Sequence, residues 1–294
     1  MERNRNELLM LLRRTGVVLS LGFGLTPLAF SAGHDVSALT VQEIVRRSVI
    51  ANSKDWNSQP QYAHREFDLK SKVDSSGTAH PQQSKVYEVS MIEGSPYSRL
   101  VGLNNEPLRG APAAQEEIKL QREIERRQHE SMDARQARVQ KYKASRAEEH
   151  MLMQQMAEAF NFKLVGEENV EGAECYVLDA SPRPDYQPPV ERARVLTGMR
   201  GRLWIEKNEF HWVKVQAEVI SPVEFGLFIA QVKPGTKFEL QQAPVGNVWL
   251  PKCFTESVNA SVLGLVGYRT KEEEHYSDYH LNQLSAGTHL MTVQ

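Results

Sequence analysis

From Phe162 to Tyr279 apolar and polar residues alternate in short runs separated by turn residues, the pattern of one antiparallel β-meander. Val213, Val215, Ala217 and Val219 fall on one face of a segment whose other face carries Lys214, Gln216 and Glu218, a half-buried strand. Leu203 and Ile205 share a face before a tight loop at Asn208-Glu209. Phe238 and Leu240 alternate with Lys237, Glu239 and Gln241, and Val248–Ser257, Val262–Thr270 and His275–Leu281 supply further strands. Val223–Val232 is apolar on both faces, and periodicity leaves it open between a buried strand and a short helix.

Upstream, Phe67, Leu69 and Val73 mark a strand, Asp74–Gly77 a turn, Val86–Met91 a second strand, and Tyr97–Leu103 a third after Glu93-Gly94-Ser95-Pro96. About ten strands in sequence order are too many for a flat sheet. They predict a mainly β (α+β) fold, either a strongly curved antiparallel sheet or a partly open barrel.

Two helical segments accompany the strands. Thr40 and Glu43 form a capping box ahead of Val41, Ile44, Val45 and Val49, which predicts an amphipathic helix over 41–52. Between Pro112 and Gly166 there is neither Gly nor Pro, and residues 116–150 are dense in Glu, Arg, Gln and Lys. That composition predicts a long, solvated helical insertion over about 113–160, weakly attached and open to trypsin at Arg122, Arg126, Arg135, Arg138 and Arg146. Its end differs: Leu152, Met153, Met156 and Phe160 lie on one side, either as plain packing or as an adaptable lid over an apolar cavity.

The N-terminus has secretory form. Arg3, Arg5, Arg13 and Arg14 precede the apolar run Val17–Leu25, too short to span a bilayer, and small residues at Ala29, Ser31 and Ala32 suit cleavage near Ser31. A signal peptide over 1–31 leaves a mature chain of 32–294, expected to form a single domain in the periplasm. It carries 31 basic and 35 acidic residues, a net charge of −4, which gives no electrostatic reason to bind nucleic acid. Export would place Cys175 and Cys253 in an oxidising compartment, where they either pair as a disulfide or remain two buried thiols.

No nucleophile elbow, P-loop, H-E-x-x-H or C-x-x-C occurs. Glu272-Glu273-Glu274-His275 with Asp278 and His280 reads better as a solvated strand end than as a metal site. Trp204 and Trp212 flank the hairpin loop and suit a cross-strand aromatic contact. The expectation is a non-enzymatic protein without cofactor or metal.

Several short motifs carry a resemblance: Tyr87-Glu88-Val89 with Glu93-Gly94-Ser95-Pro96-Tyr97-Ser98-Arg99-Leu100-Val101, Asn105-Glu106-Pro107-Leu108, Val165-Gly166-Glu167-Glu168 with Val170-Glu171-Gly172, Gly201-Arg202-Leu203-Trp204-Ile205-Glu206, and Val248-Trp249-Leu250-Pro251. Together, over about residues 60–280, they resemble the outer-membrane lipoprotein-sorting proteins, relatives of the periplasmic carrier LolA. The resemblance implies a half-open antiparallel β-barrel, a helical lid and an apolar concavity that accepts lipid or lipoprotein acyl chains. The charged insertion at 113–150 departs from the compact carrier.

Two functions follow as expectations. In one, Leu203, Ile205, Val213, Val215, Val219, Phe238 and Leu240 form an apolar wall, covered by Leu152, Met153, Met156 and Phe160, that shields acyl chains before transfer to a membrane partner. In the other, the barrel is filled by its own side chains and the helical arm docks an envelope protein. The sequence leaves the oligomeric state open.

Overall fold

The computed structural model describes residues 39–226, 230–262 and 266–282. The expected signal peptide over 1–31, with its expected cleavage near Ser31, lies outside the described residues.

Helix α1 (Val41–Ser58) starts where expected: Thr40 has extended backbone, and its Oγ1 accepts a hydrogen bond from Glu43 N at 3.2 Å. The buried stripe of α1 is Ile44, Ser48, Asn52 and Asp55, apolar at the start and polar at the end. Strands β1 (Tyr62–Val73), β2 (Ala79–Ile92), β3 (Ser95–Leu103) and β4 (Glu106–Pro107) follow as a meander. Glu93 and Gly94, both at positive φ (47° and 85°), make the tight β2–β3 turn. Helices α2 (Ala111–Gln128) and α3 (Met132–Ala159) are inserted next. The second meander comprises β5 (Phe160–Val170), β6 (Ala173–Pro182), β7 (Met199–Glu206), β8 (Trp212–Val219), β9 (Val223–Phe225), β10 (Ala230–Val232), β11 (Lys237–Val245), β12 (Val248–Val262) and β13 (Val266–Leu281). A 3₁₀ segment, Glu191–Gly198, separates β6 from β7.

These thirteen strands make one antiparallel sheet in the order β4-β3-β2-β1-β13-β12-β11-β8-β7-β6-β5, with β9 and β10 forming a flap beside β12. The first strand therefore joins the last, and among the described residues β4 and β5 end the main strand path without pairing to each other, so the barrel is half-open. Register shifts between Lys70 and Ser71, between Trp204 and Ile205, and between Gln241 and Gln242 add local twist that curls the sheet. The segment Val223–Val232, left open by periodicity, contains two short paired strands, β9 and β10.

The insertion departs from a single loosely held helix. It breaks at 129–131, and Ser131 caps the second helix by accepting from Ala134 N at 3.2 Å. Arg127 is buried and donates from Nη1 to the carbonyls of Ile92 (2.9 Å) and Ser95 (2.8 Å), and from Nη2 to that of Pro96 (3.2 Å). Arg138 donates to Ser95 Oγ and to the Glu93 carbonyl, and Arg146 lies over the Trp56 ring at 4.1 Å. Composition shows high charge, but only the tertiary fold shows that three of these guanidinium groups are used to tie the hairpin to the β2–β3 turn and to α1.

Candidate functional site

The main core lies on the inner face of β6, β7, β8 and the β9–β10 flap, beneath α1, the end of α3 and the 3₁₀ segment. One inner row can be read directly from strand register: Leu178, Leu203, Val215, Leu240 and Phe254 stand opposite one another across β6, β7, β8, β11 and β12. The neighbouring row runs Ala180, Gly201, Ala217, Phe238 and Glu256. Ala217 is small beside the larger Val215 and Phe238, and the space left there is not filled from the sheet side.

That space is an apolar cavity of about 380 Å³. Its floor is Trp212, Val215, Ala217, Phe238, Leu240, Phe254 and Val258. Its cover is Leu152, Met153 and Met156 of α3 with Val195 and Leu196 of the 3₁₀ segment, and Met199, Val232 and Thr236 also line it. Arg192, Glu256 and Glu272 form its polar edge. The cover is held by Arg192 Nη1 at 3.3 Å from Glu148 Oε2 and by the Tyr186 hydroxyl, which donates to Gln155 at 2.8 Å.

Of the residues expected to form an apolar wall and lid, Val215, Phe238, Leu240, Leu152, Met153 and Met156 meet at this cavity. Leu203, Ile205 and Val219 are closed into the core and do not line it. Phe160 is buried elsewhere, in a groove that α1 forms with Val41, Val45 and Val49, with its ring edge-on to Phe162. Val213 does not share a face with Val215. The bulge in β8, where Trp204 opposes Lys214 but Ile205 opposes Trp212, inserts Val213 as the extra residue. Val213 packs on the opposite face with Cys175, Val177 and Trp204, while Trp212 joins the inner core. The same shift separates Trp204 from Trp212; the Trp204 ring lies under the Lys214 ammonium at 5.2 Å and its Nε1 donates to Glu168 at 2.7 Å.

The two cysteines are not bonded. Cys175 is on β6 and Cys253 on β12, separated in the sheet by β7, β8 and β11, and both are free thiols. Burial pushes the Cys175 thiol up to about 11, with Glu206 adding to the shift, and burial also raises Cys253.

Sequence reading missed Trp212, Phe254, Val258 and the charged edge. Phe254, Glu256 and Val258 do alternate along β12, but nothing local shows that Leu240 pairs with Phe254. No group of three or more His, Cys, Asp or Glu placed to hold a metal occurs among the described residues. A wider groove of about 1020 Å³ crosses the outer face. It is dominated by charged side chains such as Arg202 and Asp179, which pair at 2.6 Å.

No family model and no curated protein matches the chain. Solved structures similar to it include a putative outer membrane lipoprotein-sorting protein domain from Vibrio parahaemolyticus, at 10% identity and TM-score 0.31, covering 81% of this chain and 94% of that one. A LolA superfamily protein from Nitrosomonas europaea matches at 12% identity and TM-score 0.28, covering 83% and 94%. The MucA/MucB complex of Pseudomonas aeruginosa supplies a chain at 10% identity and TM-score 0.21, covering 80% and 93%. No helix among the described residues is long and apolar enough to cross a membrane.

Proposed function

We propose that this chain is a non-enzymatic carrier that shields an apolar chain, such as the acyl chain of a lipid or lipoprotein, in the cavity between α3 and the inner face of the sheet. The observation that carries this reading is the cavity itself. Its volume of about 380 Å³ falls within the range of about 300–1000 Å³ that small-molecule sites occupy, and its walls are mostly apolar. Met153 and Met156 in the cover adapt to differently shaped contents because their side chains are unbranched and turn freely. Transfer of such a chain from water is driven by burial at about 25 cal/mol per Å², and release requires an acceptor that buries it as well. The reading places the protein in the periplasm, exported through residues 1–31.

The test uses delipidated protein and uncharged N-phenylnaphthylamine, whose fluorescence rises on leaving water. Saturable binding is expected. Val215→Glu should abolish it, because an unpaired charge among apolar groups is strongly disfavoured. Met156→Trp, which fills the cavity from the cover, should block the probe while keeping the native circular dichroism. Absence of saturable binding by the wild type would overturn the carrier reading.

A second reading is an envelope protein-interaction module. The observation favouring it is the α2–α3 hairpin, which leaves Ile118 and Met132 exposed at 50% and 78%. Charges at Ile118 and Met132 would weaken partner capture on this reading and leave probe binding untouched.

A further inference from the structure

Trp212 forms part of the cavity floor and is only 3% exposed, yet its indole Nε1 is buried with no hydrogen-bond partner among the described residues. A buried tryptophan N–H ordinarily finds an acceptor, as Trp204 does on the opposite face, where Nε1 donates to Glu168 at 2.7 Å. The bulge in β8 explains the difference. By inserting Val213 it turns Trp212 inward, onto a cavity where Leu152, Met153, Met156, Val215, Leu240 and Phe254 offer no oxygen acceptor. The polar side chains of the lining are engaged already. Thr236 Oγ1 donates to the Asn259 carbonyl at 3.1 Å and accepts from Asn259 N at 2.9 Å. Arg192 pairs with Glu148 at 3.3 Å, Glu272 pairs with Lys70 at 3.0 Å, and Glu256 is engaged as well. One bare donor in a mostly apolar cavity is left to whatever enters it.

Resting on the carrier reading above, we propose that the cargo is an acyl ester, whose carbonyl oxygen accepts a hydrogen bond from Trp212 Nε1 while its chain lies against the apolar lining. A buried N–H left without a partner is costly, so an occupant that supplies the acceptor gains more than an exposed hydrogen bond would give. The acceptor is uncharged, because a carboxylate buried among apolar groups, with Arg192 already held by Glu148, costs more than one hydrogen bond returns. A plain hydrocarbon fills the same space and leaves the donor bare. Trp212 thereby sets the specificity of the cavity, and the apolar lining sets its affinity.

Hexanophenone and hexylbenzene share one carbon skeleton and differ by a single carbonyl, so displacement of the uncharged probe by each isolates the acceptor. Trp212→Phe should raise the displacing concentration of hexanophenone about tenfold more than that of hexylbenzene, and methyl octanoate should follow hexanophenone. Comparing each ligand with itself on the two proteins removes its own hydrophobicity from the ratio. In the 15N–1H spectrum of the wild type, one of the four tryptophan indole N–H resonances should move downfield with hexanophenone and stay in place with hexylbenzene. If Trp212→Phe loses its native circular dichroism, that spectrum alone carries the comparison. Equal effects of the substitution on both ligands, or no indole resonance that tells them apart, overturns the acyl-ester assignment and leaves the carrier reading standing. Failure of the wild type to bind the probe at all removes both.

Discussion

His211 Nδ1 lies 2.6 Å from Asp55 Oδ2, with both side chains buried. The other Asp55 oxygen accepts from the backbone N–H of Trp249 at 3.1 Å, and the Trp249 ring stacks on the imidazole. One buried carboxylate thus joins α1 to the β7–β8 and β11–β12 hairpins, which explains why the buried stripe of α1 turns polar at its end. Burial works against a charged His211, but hydrogen bonds to Asp55 and Glu209 outweigh it and raise its pKa above the ordinary 6.5. A raised folded-state pKa gives stability that is fully present below about pH 6.5 and is lost as pH rises through the raised value. His211→Gln should therefore cost about 3 kcal/mol at acid pH, the scale for breaking a buried pair. The gap between its urea midpoint and that of the wild type should shrink in alkaline buffer. A constant gap across pH would mean that the imidazole acts only by its shape.

Arg127→Met should release the α2–α3 hairpin. It leaves the carbonyls of Ile92, Ser95 and Pro96 without their donor, at a cost of about 3 kcal/mol. Limited trypsin digestion of the wild type should start at the exposed Arg122 and spare Arg138 and Arg146, which are half-buried. In the variant the last two should become early sites. Early cleavage at Arg146 in the wild type would contradict the anchored hairpin.

Asp68→Asn should stabilise the protein more as pH rises. The Asp68 carboxyl moves from its ordinary 3.8 to about 7 on folding, so the wild type loses stability progressively across that interval. Melting temperatures of variant and wild type should coincide below the ordinary carboxylate range and diverge towards pH 8, the variant higher (about one pH unit above the shifted value). A variant that melts lower at alkaline pH would show that the carboxylate is stabilised by its surroundings after all.

Cys175 and Cys253 should stay reduced in the folded protein. Denaturation in excess iodoacetamide without reductant should add one alkyl group to each. In the native state Cys253 should react before Cys175, since Cys175 is fully buried and its thiol is held neutral to about pH 11. Intact mass showing an unalkylated pair would mean that a disulfide forms.

Strand periodicity over Lys237–Gln241 and Val215–Val219, the turn residues at Asp74 and Gly94, and the Thr40 cap were all legible because each depends on residues within a few positions of one another. The same holds for the helical character of 116–150, where the lack of Gly and Pro is a local fact. Three of the seven residues on the cavity floor, Val215, Phe238 and Leu240, show their alternation to any reader of the chain. The place of Val213 was not legible, since a bulge is a mismatch between two strands and one strand cannot report it.

The sequence by itself determined that this protein would be a curved antiparallel sheet with a capped N-terminal helix and a charged helical insertion, because period, capping and turn chemistry act through neighbours in the chain. Tertiary structure alone decided the rest. Pairing β1 with β13 put Asp68 beside Glu274, and pairing β11 with β12 put Phe254 beside Leu240. Burial turned Arg127 from a surface charge into an anchor, and the strand order kept Cys175 away from Cys253. Each of these depends on which distant segments share a register, and the free energy that selects a register is summed over the whole sheet.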